Sequence, residues 1–408
     1  MLSRTDRQKL CVKRWINAGG KNTVVAVTGF GKTRIALMAI GKLLKTNPSA
    51  SILISVPTTV LKEQWTEELI KWKVFSNCRV EIINTIVKHE YDIDLLICDE
   101  CHLLPSDQFR KIFSCVNYKL ILCLTGTLER LDGKEIIIKQ YAPVCDTITA
   151  DEAIENKWIA PVREYAVLLD VNLDEYKEWD RKFNGFFSFF DYDFNKSMSC
   201  ATNIIERRKY AKTMGIPEKL VMANAMGFMK ALKARKDFVM SHPKKIEIAR
   251  KILDARSNKK CITFSATIKN AEKLANKGEF ILHSKKSKKQ NSETIENFNN
   301  SKIGVLHSSK AADCGMDVKG LSVGIVLSTD SSKIRKGQRL GRTIRFEEGK
   351  TAEFFTLLIR GTQEVNWFRN SATREYQIIN EEQLEKILNG ETIETRQRDN
   401  VENKDYRF

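Results

Sequence analysis

Thr23-Val24-Val25-Ala26-Val27-Thr28-Gly29-Phe30-Gly31-Lys32-Thr33 is the stretch on which the reading of this chain turns. The apolar, β-branched run 23–27 predicts a strand, and the amphipathic run 34–45 that follows predicts a helix. Between them, Gly29 and Gly31 let the backbone curl so that its N–H groups face one point, and the helix N-terminus adds partial positive charge there. A strand, a glycine-bearing turn and a helix make a phosphate cradle, the P-loop. Lys32 is placed to reach β- and γ-phosphates, and Thr33 offers a hydroxyl to Mg²⁺. Thr28, Gly29, Phe30, Gly31, Lys32 and Thr33 are therefore the expected nucleotide contacts, with ATP and Mg²⁺ as cofactors. The first glycine of the full consensus is Ala26 here, a departure from the pattern.

A second element completes the chemistry. The apolar run 94–98 ends in Asp99-Glu100-Cys101-His102. A strand ending in two acids suits hydrolysis: Asp99 holds Mg²⁺, largely through water, and Glu100 orients and deprotonates the attacking water. A third element lies over 300 residues from the P-loop, at Gln338-Arg339-Leu340-Gly341-Arg342-Thr343-Ile344-Arg345. Taken alone it equally suits a basic helix on a phosphate backbone. Beside the other two elements, Arg342 and Arg345 read as guanidinium groups that neutralise charge on a transferring phosphoryl group.

Further apolar runs at 51–56, 79–84 and 119–124, with a helical pattern at 59–71, place the first half in an α/β unit with a parallel sheet. The alternation restarts with runs at 260–265, 280–283, 303–307, 323–327 and 354–359, with helical patterns at 272–277 and 294–299. The chain divides into a first α/β domain at 1–150, a linker and helical, aromatic-rich insert at 151–240, a second α/β domain at 241–365 and a helical C-terminal tail at 366–408. In the insert, Phe183, Phe187, Phe190 and Phe194 fall on one helical face and read as a small core. Phe186 and Phe189 lie off that stripe and are the candidates to stack on bases.

The 408 residues carry a formal charge of +17, a surplus that points to a polyanionic partner, most commonly nucleic acid. The ten cysteines are scattered, and the Cys98/Cys101 pair has no second pair at zinc spacing, so they read as reduced core residues without a metal. No apolar run reaches the ~18 residues of a membrane helix, and the first residues lack a signal-peptide core. A cytoplasmic protein is expected, in a nucleoid or host-cell cytoplasm.

These motifs resemble those of superfamily 2 helicases: residues 28–33, 99–102, 125–127 and 338–345 look like motifs I, II, III and VI. Within that family the likeness is to the XPB/UvsW-type branch. Pro57, Thr58, Leu61, Gln64 and Trp65 look like motif Ia, 124–133 is similar to the branch's motif III segment, 264–266 looks like motif IV, and Asp313-Cys314-Gly315-Met316-Asp317 looks like motif V. The Lys-, Asn- and Ile-rich composition suits a phage-type member. The resemblance covers about 1–360. It implies two RecA-like domains and ATP-dependent movement on nucleic acid, commonly 3′-to-5′ unwinding, annealing or branch migration.

It also implies residue roles: Gln8 reads adenine, Gly315 and Asp317 lie near the ribose, and Gln338 lies near the γ-phosphate. His102, Thr125, Gly126 and Thr127 pass the nucleotide state to the nucleic-acid side. Thr58, Thr85, Arg130 and Thr267, with Lys285 and Lys286 of a lysine run, are candidates for the track. Two departures stand out: Gly126 replaces the usual alanine of motif III and Leu128 the usual proline, and neither removes a chemical group. The expected function is a DNA helicase acting on single-stranded, forked or branched DNA, monomeric and working with recombination or replication proteins. A strand-annealing or protein-displacing translocase and an RNA helicase remain alternatives. A nucleic-acid-binding scaffold with a dead site is argued against by intact Lys32, Asp99, Glu100, Arg342 and Arg345.

Overall fold

The computed structural model describes residues 2–128, 133–309, 318–329, 351–371, 376–391 and 393. Two parallel sheets organise it. The first has six strands: β1 (Lys21–Ala26), β2 (Ile52–Val56), β3 (Cys78–Ile82), β4 (Tyr91–Asp99), β5 (Val116–Thr125) and β6 (Val144–Ile148), in the order β3-β2-β4-β5-β1-β6. Every pairing is parallel, and β4 and β5 run side by side from Tyr91 opposite Val116 to Asp99 opposite Leu124. The central strands are apolar along their length because helices cover both faces. Three helices matter for the site: α1 (Arg4–Asn17), α2 (Lys32–Thr46) and α3 (Thr59–Lys71). Trp15 of α1 fastens that helix to the sheet by donating from Nε1 to the Ile121 carbonyl at 2.9 Å.

The second sheet has seven strands: β7 (Val162–Leu169), β8 (Lys260–Ser265), β9 (Phe280–Leu282), β10 (Gly304–Ser309), β11 (Val323–Val326), β12 (Ala352–Ile359) and β13 (Gln377–Ile379). Their order is β13-β7-β12-β11-β8-β10-β9, again parallel throughout. Two of these strands correct the sequence reading. β7 lies in the stretch 151–240 read as linker and insert, and β13 in the tail read as helical. β7 escaped because its partner β12 comes some 190 residues later. β13 escaped because it has only three residues.

Five helices intervene between β7 and β8: Asp174–Ser188, Phe194–Thr202, Ile204–Met214 and Glu218–Ser241, which form the insert, and then Pro243–Ala255. Phe183 and Phe187 pack on Phe228 of the longest of them, with ring centres 5.1 and 5.4 Å apart, and Phe190 is fully buried beside Tyr210. The expected helical core is present. Phe194 sits at its margin: the first helix ends at Ser188, Asp193 caps a new one, and Phe194 is largely exposed while its ring edge still meets Phe228 at 5.8 Å. Among the described residues, no helix is long and apolar enough to cross a membrane.

Candidate nucleotide site and nucleic-acid interface

The strand order of the first sheet sets β4, β5 and β1 side by side, so their C-terminal ends open on one edge. Ligands of doubly wound sheets bind at such edges. β1 leads into the P-loop, β4 into Asp99 and Glu100, and β5 into Thr125-Gly126-Thr127.

The loop curls through two left-handed residues, Gly29 at φ 90° and Gly31 at φ 100°, which a side chain would strain. Gly31 then caps α2. A Cβ at Gly31 would also sit 2.7 Å from Gln8 Nε2, so the glycine lets α1 close on the loop. Gln8 donates from Nε2 to the Phe30 carbonyl at 2.8 Å. Arg4 donates from Nε to the same carbonyl at 2.9 Å and from its terminal nitrogen to the Gly29 carbonyl. The Phe30 ring is fully buried against Trp158, with centres 5.3 Å apart, and its N–H donates to the Val27 carbonyl at 3.1 Å. Phe30, expected among the nucleotide contacts, thus stiffens the loop from beneath. Gln8 is 1% exposed, and its Oε1 is buried without a hydrogen-bond donor. An acceptor left so is a place for a ligand N–H.

At the acid pair, Trp65 of α3 donates from Nε1 to Asp99 Oδ2 at 2.9 Å, while the Glu100 N–H donates to Asp99 Oδ1 at 3.0 Å. Trp65 is a functional residue that the sequence reading had only as part of a motif resemblance. Burial and the neighbouring Glu100 charge push the Asp99 carboxyl up to about 6. Burial pushes Glu100 the same way, but Lys32 and His102 outweigh it and bring Glu100 down to about 2. Lys32 Nζ stands 3.6 Å from Glu100 Oε1. Glu100 holds φ 51° and ψ 48°, a left-handed conformation that costs a non-glycine residue about 1–3 kcal/mol and is met at functional sites.

His102 ties this edge together. Its Nδ1 is 3.3 Å from Glu100 Oε2 and 3.0 Å from Thr125 Oγ1. Thr125 Oγ1 donates its single hydrogen to the Thr127 carbonyl at 2.6 Å, so it accepts from His102, and Nδ1 carries a proton. Glu100, His102, Thr125 and Thr127 form one chain of hydrogen bonds. Gly126 lies against the P-loop: a Cβ there would meet Thr28 Oγ1 at 3.0 Å and Lys32 Nζ at 3.5 Å.

These residues fit a magnesium triphosphate. The donor set joins Lys32 and a helix N-terminus to an acid, Asp99, whose Oδ2 accepts from Trp65 and Oδ1 from the Glu100 N–H, with Thr33 in the first turn of α2. Gly315, Asp317, Gln338, Arg342, Arg345 and Arg130 lie outside the described residues.

The track candidates divide. Thr58 caps α3, accepting from the Leu61 N–H at 3.3 Å, and Thr267 caps helix Ile268–Leu274, accepting from Asn270 at 3.2 Å. Both follow the C-terminal ends of strands, β2 and β8. Thr85 is half-buried in the short helix Ile83–Ile86. Lys285 is exposed, while Lys286 is tied to the Ile281 carbonyl at 2.8 Å. Phe186 and Phe189 are half-buried, each with a packing contact of its own. Phe186 rests on Gly227, where a Cβ would come within 2.5 Å of its ring, and Phe189 packs edge-on against Phe190 at 5.0 Å. The exposed aromatics of the insert are Tyr192 and Phe194.

Residues 244–347 match the family model of the helicase conserved C-terminal domain, and residues 2–93 and 84–130 match that of the type III restriction enzyme, res subunit. The chain is similar to the DNA 3'-5' translocase XPB2 of Sulfurisphaera tokodaii, at 25% identity over 88% of this chain and 82% of the relative. It is similar to the DNA 3'-5' helicase XPB of Mycobacterium tuberculosis at 24% identity over 86% of this chain, and spans 60% of that relative's length. Among solved structures, Dbp5 of S. cerevisiae, bound to RNA and ADP BeF3, shares the fold at a TM-score of 0.59 and 14% identity, over 94% of this chain and 92% of that one. The Hef helicase domain of Pyrococcus furiosus does so at 0.50 and 17% identity, over 91% and 100%.

Proposed function

Since the chain is a superfamily 2 helicase of the XPB-like branch, and with that a nucleic-acid-dependent ATPase, we propose that it moves 3′ to 5′ along DNA and remodels forked or branched molecules. The observation that carries the catalytic part is the continuous set Trp65–Asp99, Lys32–Glu100–His102–Thr125 on one sheet edge. DNA and polarity rest on the two XPB relatives, whose names state 3'-5' action on DNA.

In this reading Thr33 and Asp99 hold Mg²⁺, which supplies charge neutralisation at the β- and γ-phosphates. Lys32 binds the triphosphate, which competes with Glu100 for its ammonium group. Glu100 then faces the attacking water, held in orientation by His102. Gln8 Oε1 accepts from the exocyclic amine of adenine, and Gly315 and Asp317 take the ribose side. Gln338, Arg342 and Arg345 meet the γ-phosphate from the second domain, so that hydrolysis follows closure. Thr125, Gly126 and Thr127 link Glu100 to the loop after β5, and through it to the nucleic-acid side.

The helical insert grips the track. Residues 194–236 hold ten Lys and Arg against two Glu, a net +8 of the chain's +17. In the helix Glu218–Ser241, Lys219, Met222, Met226, Lys230 and Lys233 are exposed at three- and four-residue spacing, a single stripe of cations and apolar side chains. Lysines suit phosphates and methionines suit base and sugar faces, without sequence readout. Thr58, Thr85, Arg130, Thr267, Lys285 and Lys286 continue the track, and the more exposed Tyr192 and Phe194 join Phe186 and Phe189 as candidates to stack on bases.

Steady-state ATPase activity with single-stranded DNA, duplex DNA, a four-way junction and RNA, using Glu100→Gln as control, tests the proposal. Greatest stimulation by the junction supports it. Preference for RNA replaces DNA by RNA, and equal response to plain duplex favours a translocase without remodelling.

A further inference from the structure

A buried polar cluster ties the insert to the second sheet, and the cluster sits at the strand ends. Arg235, in the helix Glu218–Ser241, is 8% exposed. Its Nη2 lies 2.8 Å from Asp180 Oδ1 in the helix Asp174–Ser188 and donates to Gln363 Oε1 at 3.0 Å. Its guanidinium carbon stands 4.1 Å from the centre of the Phe183 ring. One side chain thus fastens both long insert helices to Gln363. Tyr176 repeats the link by accepting the Gln363 backbone N–H at 3.0 Å.

The next residue, Glu364, is fully buried. Its two oxygens accept from Lys245 Nζ at 2.6 and 2.7 Å, and one also accepts the Ile359 N–H at 3.2 Å. Lys245 donates again, to the Leu327 carbonyl at 2.9 Å. Separately, Asn270 donates to the Met240 carbonyl at 3.0 Å, from the helix that Thr267 caps. The insert is therefore tied to the C-terminal ends of β8, β11 and β12, the ligand-binding edge of a parallel sheet. From β11 the chain continues in sequence through Thr329 toward Gln338, Arg342 and Arg345.

We propose that Arg235 and Gln363 are the joint through which nucleic acid held by the insert drives hydrolysis, positioning residues that act on the catalytic edge without touching the nucleotide. The proposal rests on the insert gripping the track, as argued above. The physical reason is that buried polar partners have discrete arrangements. A shift of the insert either carries Gln363 with it or breaks the Arg235–Gln363 hydrogen bond and leaves Arg235 to Asp180 alone. Gln363 and Glu364 share a peptide bond, so displacement of one moves the acceptor of Lys245 and, with it, the end of β11. The surface pair Arg360–Asp170 nearby, half-exposed or more on both sides, cannot hold such a register.

The test uses the full chain and the variant Gln363→Ala, which removes the acceptor of Arg235 and leaves Glu364 in place. Three quantities are read: basal ATPase turnover, turnover saturated with a thymidine oligonucleotide, and oligonucleotide Kd by fluorescence anisotropy. The expected result is basal turnover and Kd within ~2-fold of the parent, with stimulated turnover reduced by about 5- to 10-fold, in the range of coupling free energies between sites. Gln363→Glu, which restores an acceptor, recovers stimulation. Arg235→Lys, which keeps the buried charge but loses the planar fork, gives an intermediate value. Stimulation undiminished in Gln363→Ala overturns the proposal. So does a parallel loss of Kd, basal turnover and melting temperature that Gln363→Glu does not rescue, since that is a structural role only. A parent protein that no nucleic acid stimulates would instead overturn the function proposed above.

Discussion

Two buried ion clusters, one on each sheet, are compensated in opposite ways. In the second sheet, Lys245 and Glu364 are both essentially unexposed and lie 2.6 Å apart, with backbone groups taking up their remaining capacity. Arg256 grips Glu353 with two nitrogens at 2.8 and 2.9 Å. In the first, Lys32 stands 3.6 Å from Glu100, and Asp99 and Glu100 are consecutive acids pushed to opposite ends of the carboxylate range. A buried charge with a close, complete partner set is finished; a buried charge with a loose one awaits something. Paired titratable groups driven apart are the mark of a site with chemistry to do. The comparison teaches that compensation, rather than burial, separates the structural ions from the working ones.

The largest effect that would break this contrast is Lys245→Met. It leaves the Glu364 carboxylate buried and unpaired, and the expected loss of stability is about 3–5 kcal/mol, read by denaturant unfolding. A loss below about 1 kcal/mol would mean that Glu364 takes up a proton at no cost, and the second sheet's ions would not be finished in the sense meant here. The matching change in the first sheet, Lys32→Ala, is expected to leave stability within about 1 kcal/mol while ATP turnover falls by at least ~10²-fold. Glu100→Gln is expected to retain nucleotide binding and lose turnover, because it removes the proton acceptor and not the phosphate contacts. Near-parental turnover in both would remove Lys32 and Glu100 from the site.

The same contrast explains what could be read in the sequence. The P-loop and the acid pair each lie at the end of an apolar run, so local pattern carried them, while Thr125-Gly126-Thr127 came only through the motif resemblance. Residues that act across strands left no local trace. Trp65 reaches Asp99 from α3, and Gly126 touches Thr28 and Lys32 only because β5 lies beside β1. The strand β7 has the apolar character of its neighbours, but its place in the second sheet depends on a partner far along the chain. In the insert, periodicity found the buried stripe of Phe183, Phe187 and Phe190. It missed that the helix stops at Ser188, after which Asp191 and Tyr192 turn through positive φ and leave Tyr192 and Phe194 exposed. Phe186 and Phe189, off the stripe, are half-buried against Gly227 and Phe190.

A smaller effect sharpens the comparison through pH. Glu279 sits in the second sheet's side of the molecule, paired with Arg250 at 2.9 Å and with His307 at 2.9 Å. Burial alone would raise its carboxyl, but Arg250, the Asn276 N–H and His307 bring it down to about 2 from an ordinary 4.5. The unfolded chain therefore binds this proton first as pH falls. The stabilisation is fully present above pH 4.5 and is lost between there and about 2. His307, which burial pushes below its ordinary 6.5, adds a loss that begins as pH drops past that value. Glu279→Gln is expected to lower stability by about 1–2 kcal/mol at pH 7 and by progressively less toward pH 3, in unfolding curves taken across that range. A difference that stays constant with pH would assign the effect to packing.

The smallest change tests how much slack the first site keeps. Gly126→Ala adds one methyl, with φ in an ordinary region, 3.0 Å from Thr28 Oγ1 and 3.5 Å from Lys32 Nζ. Both neighbours are ends of rotatable side chains, so each can give by a few tenths of an ångström. The expected result is a fall in ATP turnover of only about 2- to 5-fold, under the ~1.4 kcal/mol of a tenfold change. Gly31→Ala makes the control: there φ is 100° and the methyl meets Gln8 Nε2 at 2.7 Å, so the loop itself must move. A left-handed conformation forced on alanine costs about 1–2 kcal/mol before any contact is counted. Turnover in Gly31→Ala should therefore fall well below that of Gly126→Ala. If the two variants lose equally, the segment after β5 is as rigid as the P-loop, and Lys32 has no freedom to leave Glu100 for a phosphate. If Gly126→Ala is silent and Gly31→Ala is not, the loose 3.6 Å pairing of Lys32 is working slack, which is what a residue that must change partners requires.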